Sequence, residues 1–303
     1  MEEKIRTIVG PAPSPKTGKG FTLPFNVRLM RLGFRHLGAI APRLVSKVAS
    51  KLFFTPVIRK RPEWPADLLS SGQAVRVPFN GHALHGYRWG GEGQPLVLFV
   101  HGWENEAAHF QFFIQEILKQ GFAVAAFDAP AHGNSRGQQQ TNMFEYSLAV
   151  GAIFKHFGKI HTIIGHSMGG AASFYRCAKT PEIELENLVM ISSPTDIQGI
   201  FTRLKQTLHI SDKVIANMQN AMHHRFNIDR DIYDLTQLWN KVNAKRVLLV
   251  HDKNDIVVPC TDAQRLAEVW SKAQMLITEN YGHNRIIREA EPIKEVVEFI
   301  SQA

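Results

Sequence analysis

Short apolar runs alternate along most of the chain with longer segments whose apolar residues recur at helical spacing. Runs rich in Val, Ile and Leu are typical of buried strands, and a 3.6-residue period is typical of amphipathic helices. The predicted strands are Leu96–Val100, Phe122–Asp128, Ile160–His166, Leu188–Ser192, Arg246–Val250 and Met275–Thr278. The predicted helices are Glu106–Gln120, Met143–Phe157, Met168–Lys179, Asp262–Trp270 and Pro292–Ser301. Because parallel strands need crossover connections, this alternation predicts an α/β fold with a mostly parallel, twisted sheet flanked by helices on both faces.

Two segments depart from the alternation. Ala74–Phe79 and His82–Trp89 flank Asn80-Gly81, the preferred two-residue turn, and therefore predict a β-hairpin ahead of the parallel sheet. Between residues 195 and 241 we find no strand pattern but two sets of apolar residues at helical spacing, the second of which Ser211 can cap. The interval is about the length of a small lid, so it predicts a helical cap inserted after a core strand.

The first 71 residues form a basic, helical N-terminal extension in this prediction. Residues 11–24 are rich in Pro and Gly and favour a flexible leader, whereas Phe25–Leu37 and Pro42–Phe54 are typical of amphipathic helices. Residues 1–61 carry 13 Lys and Arg against two Glu, a net charge of +11, while the other 242 residues carry 22 basic and 25 acidic groups, a net charge of −3. The predicted domains are thus the extension at 1–71 and a second domain at 72–303, with its core at 72–194 and 242–303 and the cap at 195–241.

Composition excludes several classes of protein. A hydrophobic content of 44% with 10% aromatic residues is that of a globular protein rather than a disordered one. The two cysteines, Cys177 and Cys260, lie in no C-x-x-C motif and no His/Cys cluster, which argues against a disulfide framework and a metal site. A reducing compartment, the cytoplasm, is therefore expected, and the N-terminus lacks the basic and apolar regions of a secretory signal. Leu37–Ile58 is interrupted by three basic residues and is a poor spanning helix.

The residues Gly165-His166-Ser167-Met168-Gly169 join a predicted strand to a predicted helix. They match G-x-S-x-G, the nucleophile elbow, in which glycines let the strand and the helix approach closely around a strained central residue. Ser167 is then exposed above a helix N-terminus, where free N–H groups favour an anion, and the Met168 N–H supplies one oxyanion donor. Since the motif is short, a glycine-rich turn that merely contains serine is the alternative that the rest of the chain must decide.

A serine nucleophile needs an imidazole base oriented by an acid, and in a parallel sheet such groups follow the carboxyl ends of strands. Asp252 and Asp255 follow one late strand, and His283 follows the last, which gives the order Ser…Asp…His. Asp252 and Asp255 both remain candidates for the acid, and His251 and His101 are other imidazoles nearby. The remaining histidines are expected to pack or to bond locally, or to be solvated at a helix end: His132, His166, His223 and His224.

At these motifs the chain resembles the large Ser-triad group of α/β-hydrolases, which includes esterases, thioesterases and serine aminopeptidase-like hydrolases. The resemblance covers about residue 74 to the C-terminus without the insertion. It implies Asp255 as the acid, because the family's acid is the second aspartate of Asp-x-x-Asp-x-x-Val-Pro, and it implies the Trp103 N–H as the second oxyanion donor. The motifs that carry it are His101-Gly102-Trp103, the turn from Asp128 to Ser135, Gly165–Gly169, Asp252–Pro259 and Gly282-His283.

The expected reaction is a double displacement with Ser167 as nucleophile, His283 as base and Asp255 as acid, and it needs no metal or organic cofactor. The substrate is expected to be a small acyl compound. A carboxylic ester is favoured because no second substrate site is recognisable, with thioesterase, peptidase and acyltransferase activity as alternatives on the same residues. A serine at this position argues against dehalogenases and epoxide hydrolases, which resemble this fold but use aspartate. The alternative of another class is a non-catalytic binding or scaffold protein that retains the fold.

The insertion and the extension carry no motif of their own. The insertion is expected to cover the Ser167 site, with part of its apolar set, which includes Phe201, Leu204, Met218 and Met222, facing the pocket or the core. The extension is expected to lie outside the catalytic fold. Its apolar faces either dock on the rest of the protein, or they associate with an anionic membrane as a peripheral anchor. Nucleic-acid binding is disfavoured because no recognised motif accompanies the charge.

Overall fold

A nine-stranded sheet runs through the part of the chain that the structure describes. The computed structural model describes residues 4–11, 25–57, 63–226 and 228–302. The strands are β1 Ile5–Val9, β2 Gln73–Phe79, β3 His82–Trp89, β4 Leu96–Val100, β5 Ala123–Phe127, β6 Thr162–His166, β7 Leu185–Ile191, β8 Ala244–Asp252 and β9 Ala273–Glu279. Their order across the sheet is β1-β9-β8-β7-β6-β4-β5-β3-β2. All neighbours are parallel except β2–β3 and β3–β5, so the predicted mostly parallel sheet is confirmed.

The helices are α1 Phe25–Ile40, α2 Pro42–Phe53, α3 Ala66–Ser71, α4 Gln111–Lys119, α5 Met143–Phe157, α6 Met168–Lys179, α7 Ile197–Leu208, α8 Asp212–Phe226, α9 Thr261–Val269, α10 Gly282–Arg285 and α11 Ala290–Ser301. Three short 3₁₀ helices, Ala107–Phe110, Arg230–Tyr233 and Leu235–Lys241, lie among the described residues. The helix predicted at Glu106–Gln120 therefore begins as a 3₁₀ turn and becomes α-helical only at Gln111.

The described residues form two compact units. One unit comprises the described residues within Met1–Ala12, Pro56–Thr195 and Leu235–Ala303, and it contains the whole sheet. The other comprises those within Pro13–Thr55 and Asp196–Asp234, and it is helical. Leu235 and Leu238 are buried in the sheet unit, so the end of the predicted insertion, 235–241, belongs to the sheet unit rather than to the helical unit.

In the sheet unit, alternate strand residues bury against helices on either side, as the period of two in a strand dictates. On one face, Phe99 packs on Phe110 and Phe113 at the start of α4, with ring centroids 4.6 and 5.8 Å apart. The opposite face is covered by helices that include α6, whose Phe174 lies 5.7 Å from Trp270. The central strands β4, β5 and β6 are buried along their whole length, which fixes their register and holds the loops at their carboxyl ends in place.

The first strand, β1, corrects the sequence analysis, which placed no strand before residue 74. Ile5–Val9 pairs in parallel with β9, from Ile5 opposite Met275 to Val9 opposite Glu279. As an edge strand it stays mostly exposed, with Ile5 49% and Val9 67% accessible, so it lacks the buried apolar alternation that identifies a strand. Part of the predicted extension is therefore a strand of the sheet. The predicted flexible leader at 11–24 lies almost wholly outside the described residues.

The helical unit joins two segments that the sequence analysis treated separately. Helix α2 packs against α1 and α8, and α1 packs against α7. Phe201 of α7 lies between Phe53 and Tyr233, with ring centroids 5.7 and 5.9 Å away. Two helices alone bury too little apolar surface to be stable, so the pair α1–α2 and the inserted pair α7–α8 form one core together. Met218, predicted to face the pocket or the core, is 1% exposed within this unit.

Candidate active site

The turn between β6 and α6 holds Ser167 in a conformation that few residues adopt. Its φ is 52° and its ψ is −125°, a strained region for a residue with a Cβ. The Ser167 N–H donates to the Ile191 carbonyl at 2.8 Å, and the Ser167 carbonyl accepts from the Gly170 N–H at 3.1 Å. A Cβ on Gly169 would lie 2.2 Å from the Val100 carbonyl oxygen, so only glycine lets α6 start this close to β4. The predicted elbow is therefore present, with Ser167 at the helix N-terminus.

His283 lies between Ser167 and Asp255. Its Nδ1 is 2.7 Å from Asp255 Oδ2, and its Nε2 is 3.0 Å from Ser167 Oγ. Since a carboxylate can only accept here, Nδ1 carries the proton and Nε2 is left to accept the Ser167 hydroxyl. The three side chains come from the carboxyl ends of β6, β8 and β9. The structure thus brings the three predicted residues into one hydrogen-bonded chain, which can transfer a proton away from the serine.

The carboxylate of Asp255 is held in its charged form. Burial by itself would raise its pKa, but the neighbouring His251 and the hydrogen bonds from His283 and the Val258 N–H lower the net pKa far below the usual value. The backbone N–H groups of Val257 and Val258 donate to Oδ1 at 2.8 and 3.0 Å. One oxygen of the carboxylate is thereby fixed by the backbone, and the other faces His283.

Asp252, the other candidate acid, serves a different purpose. Its Oδ1 accepts from the Asn254 N–H at 2.9 Å, and its Oδ2 accepts from the Thr278 hydroxyl at 2.8 Å and the Tyr281 N–H at 2.9 Å. It is fully buried, and its hydrogen bonds tie the acid loop to the loop that carries the base. Geometry therefore places Asp255, and not Asp252, against His283.

Two further histidines contact this chain of residues, and the sequence analysis missed their part. His166 was expected to bond locally, yet its Nε2–H donates to the backbone carbonyl of His283, 117 positions away, at 2.8 Å. Burial lowers the pKa of His166 to about 3, so the ring is neutral. His251 is fully buried, with Nε2 3.0 Å from the Val258 carbonyl and 3.6 Å from Asp255 Oδ2. The available signal in the sequence was that His166 precedes Ser167 directly and that His251 lies four positions before Asp255.

The loop after β4 lies against the elbow. A Cβ on Gly102 would stand 2.9 Å from Ser167 Cβ, so the chain passes directly beside the serine at the residue that precedes Trp103. Met168 is the first residue of α6, and its N–H has no partner within the helix. Among the described residues, neither the Trp103 N–H nor the Met168 N–H forms a hydrogen bond with another group. Their role as oxyanion donors stays a prediction.

Asp128, to which the sequence analysis assigned no catalysis, ties together the segments that carry Ala107 and Asn134. Its two carboxylate oxygens accept from the Ala107 N–H at 2.9 Å and the Asn134 N–H at 2.7 Å. His132 accepts from the Glu104 N–H at 3.0 Å, and His101 accepts from the Ala129 N–H at 2.9 Å. Burial lowers the pKa of each imidazole to about 3. Within the described part of the chain, the side chains of Asp128, His101 and His132 form hydrogen bonds in these loops and none with Ser167, Asp255 or His283.

The described residues hold no cluster of three or more His, Cys, Asp or Glu with the geometry of a metal site. In helix α8, His223 Nδ1 is hydrogen-bonded with the Ile228 carbonyl at 2.6 Å, and His224 is exposed. No described helix is both long enough and apolar enough to cross a bilayer.

Comparison with known proteins gives matches along most of the chain. The family model of Serine aminopeptidase, S33, matches residues 91–238, and that of TAP-like protein matches residues 230–302. A bifunctional esterase/perhydrolase of Acinetobacter calcoaceticus is 25% identical over 259 residues, which cover 70% of this chain and 94% of that protein. A serine hydrolase-like protein of Danio rerio is 28% identical over 160 residues, covering 50% of this chain and 48% of that protein, so the match spans about half of its length.

Solved structures match the fold at low sequence identity. The esterase Pf2001 of Pyrococcus furiosus superposes with a TM-score of 0.62 at 22% identity, covering 82% of this chain and 98% of that one. A thioesterase domain from the curacin biosynthetic pathway superposes with a TM-score of 0.56 at 16% identity, covering 77% of this chain and 99% of that one. Such likenesses establish a shared fold.

Proposed function

The chain belongs to the α/β-hydrolase superfamily, and from that premise we propose that it is a serine hydrolase that cleaves carboxylic esters through an acyl-enzyme on Ser167. The observation that carries this proposal is the position of His283, hydrogen-bonded to Ser167 Oγ on one side and to Asp255 on the other. A glycine-rich turn that merely contained serine would have no reason to bring a base and an acid from two other strands to that hydroxyl.

In the proposed mechanism, Ser167 Oγ attacks the acyl carbon while His283 Nε2 takes the hydroxyl proton. Asp255 stabilises the imidazolium that forms, and the N–H groups of Met168 and Trp103 donate to the oxyanion. Collapse of the tetrahedral intermediate breaks the bond to the alcohol, which leaves with the proton from Nε2. Water then adds to the acyl-enzyme by the reverse sequence, giving up its proton to Nε2 and releasing the acid and free Ser167.

Carboxylic esters are favoured over other acyl substrates for two reasons. The bifunctional esterase/perhydrolase matches this chain over 94% of its own length, and serine hydrolase-like proteins are among the other relatives. The sequence also offers no recognisable second substrate site, which an acyltransferase would need. At 25% and 28% identity, these relatives support the reaction class.

The test compares wild type with Ser167→Ala and with a matched control, Ser173→Ala. Ser173 lies on the same helix, is fully buried and donates to the Gly169 carbonyl at 2.7 Å, without contact to the base. We expect Ser167→Ala to lose about 10⁴-fold or more in kcat on nitrophenyl esters and to lose labelling by a fluorophosphonate probe, while Ser173→Ala keeps both. Near-normal turnover by folded Ser167→Ala would overturn the proposal.

A second measurement distinguishes ester hydrolysis from thioester and amide hydrolysis by the same Ser167, His283 and Asp255. Wild type is assayed on matched acyl groups presented as a nitrophenyl ester, a coenzyme A thioester and an anilide. Ester hydrolysis with the highest kcat/KM supports the proposal, and a higher value for the thioester or the anilide would replace the ester by that class. Absence of both turnover and probe labelling would favour the non-catalytic binding protein.

A further inference from the structure

Exposed apolar side chains concentrate on two helices of the helical unit. Seven of the fourteen large apolar side chains that are exposed among the described residues lie on α1 and α2, which together span 28 residues. Single exposed apolar residues are ordinary, but a contiguous set indicates a contact surface. The seven are Leu29 59%, Leu32 56%, Leu37 55%, Ile40 82%, Leu44 62%, Val48 46% and Leu52 51% exposed.

On α2 the exposed half is divided lengthwise into an apolar row and a basic row. Leu44, Val48 and Leu52 follow one another at four-residue intervals and therefore form one row along the helix. The basic row, Arg43, Lys47 and Lys51, lies directly beside it with the same spacing and is also exposed. The third side of the helix faces the core through Val45, Ser46 and Ala49. The apolar row is therefore additional to the residues that packing requires.

Helix α1 repeats this arrangement on a smaller scale. Phe34 and Gly38 are buried, and a Cβ on Gly38 would stand 3.6 Å from Val214 of α8, so this side faces the core of the unit. The exposed leucines and Ile40 lie on the other side, with Arg35 exposed at its margin. Arg31 is committed to the unit, because its Nε donates to the Thr207 carbonyl of α7. Among the α1 side chains that the structure describes, the arginine charge available to a partner thus comes from Arg35.

The charge of this surface has one sign. Residues 25–57 contain six Lys and Arg and no Asp or Glu. Elsewhere in the same unit, residues 196–234 contain five basic and five acidic residues. Among the described residues of the helical unit, the excess positive charge therefore lies in residues 25–57, which include α1 and α2, the helices that carry the exposed apolar row. A partner that fits both features presents negative charge at its surface and apolar material directly beneath it.

We propose that the exposed face of α1 and α2, here called the α1–α2 face, docks on the surface of a lipid bilayer that contains anionic lipids. The apolar row then enters the boundary between headgroups and acyl chains, and the basic row lies at the level of the phosphates. A nucleic acid offers the negative charge but no apolar layer for the leucines, and an acidic protein surface is usually polar throughout. No described helix could span a bilayer, which agrees with helices that lie in its surface.

The first test removes the basic row. Full-length protein is sedimented with phosphatidylcholine vesicles, with and without phosphatidylserine, at low and at high ionic strength. We expect binding only to vesicles with phosphatidylserine, weakened by salt. Arg43→Gln/Lys47→Gln/Lys51→Gln should reduce the partition coefficient on the order of 100-fold, since each basic residue near an anionic surface contributes roughly fivefold.

The matched control removes the same charge from another place. Arg136, Lys155 and Lys159 are exposed in the sheet unit, so Arg136→Gln/Lys155→Gln/Lys159→Gln has the same net charge. This control should bind within a fewfold of wild type. Equal losses in the two triple variants would mean that total charge and not the α1–α2 face attracts the vesicles, and the proposal would then be wrong.

A second pair of variants tests the apolar row. Leu44→Ser/Val48→Ser should reduce partition roughly tenfold, whereas Phe112→Ser/Val269→Ser, which removes two exposed apolar side chains of the sheet unit, should leave it unchanged. Far-ultraviolet circular dichroism and thermal unfolding report whether each variant is folded. Failure of wild type to sediment with phosphatidylserine vesicles at low salt, or equal binding to pure phosphatidylcholine, would overturn the proposal. None of these readouts depends on ester hydrolysis.

Discussion

Asp255 and Asp252 lie three positions apart, and the structure predicts opposite consequences for replacing each by Asn. In Asp255→Asn, Oδ1 can still accept from the Val257 and Val258 N–H groups, so the loop keeps its shape. The amide NH₂ then replaces the oxygen that lies 2.7 Å from His283 Nδ1. A donor at that position forces the imidazole to carry its proton on Nε2, where it can no longer accept the Ser167 hydroxyl.

The expected loss from the wrong tautomer is about 10⁴-fold in kcat, or roughly 5.5 kcal/mol of transition-state stabilisation. The unfolding free energy of Asp255→Asn should fall only slightly. Asp252→Asn acts in the opposite way, because Asp252 accepts from three donors and makes no contact with His283. Weakening hydrogen bonds to a buried carboxylate costs about 1.5–3 kcal/mol each. We therefore expect a clear drop in unfolding free energy with at most a tenfold loss in kcat.

The assay pairs kcat on a nitrophenyl ester with the urea midpoint of unfolding, measured for wild type and both variants. We expect Asp255→Asn to lower kcat with little change in the urea midpoint, and Asp252→Asn to lower the urea midpoint with a much smaller change in kcat. A larger loss of kcat in Asp252→Asn than in Asp255→Asn would refute it, since it would mean that the acid is the residue that the geometry places away from the base.

Three further outcomes are expected. Gly102→Ala should lower kcat by about tenfold or more with the fold retained, because its Cβ would lie 2.9 Å from the Cβ of the serine; unchanged kcat would contradict this crowding. Met218→Ala should lower the unfolding free energy by about 2–5 kcal/mol in urea titrations, because the side chain is 1% exposed, and a change only in chain-length preference would contradict the packing. Burial lowers the pKa of His101, His132 and His166 from 6.5 to about 3, so the unfolded chain binds more protons between these values. Stability should therefore be complete above about pH 6.5 and fall toward pH 3 by up to about 1.4 kcal/mol per pH unit for each ring, and urea midpoints that stay constant from about pH 7 to pH 4 would refute this.

The central sheet could be predicted because its strands are buried on both faces. β3 and β4 have the predicted bounds, and helices α5 and α6 begin and end where the apolar period begins and ends. β1 could not be predicted, since an exposed edge strand of five residues carries no such pattern. The association of α1 and α2 with α7 and α8 was equally hidden, because periodicity reveals an apolar face without revealing what covers it.

In the candidate site, chain order was sufficient to locate Ser167, His283 and the loop that carries both Asp252 and Asp255. Each follows a strand, and the carboxyl ends of parallel strands meet at one edge of the sheet. The choice between Asp252 and Asp255 needed the resemblance to a family, because spacing alone places both in one loop. The contact of His166 with the His283 carbonyl spans 117 positions, and a local pattern does not encode it.

The pairing of β1 with β9 also has a consequence for how the chain is made. Ile5 leaves the ribosome 270 residues ahead of Met275, its partner. The Gly10 N–H donates to the Glu279 carbonyl at 3.0 Å, and Asn280 Nδ2 donates to the Gly10 carbonyl at 3.3 Å, so the same early segment holds the turn that leads to His283. At typical rates of synthesis this strand waits on the order of 10–60 seconds for its partner. During that time Lys4, which precedes the strand, and Arg6, which lies within it, place charge among its β-branched residues and oppose aggregation of the nascent chain.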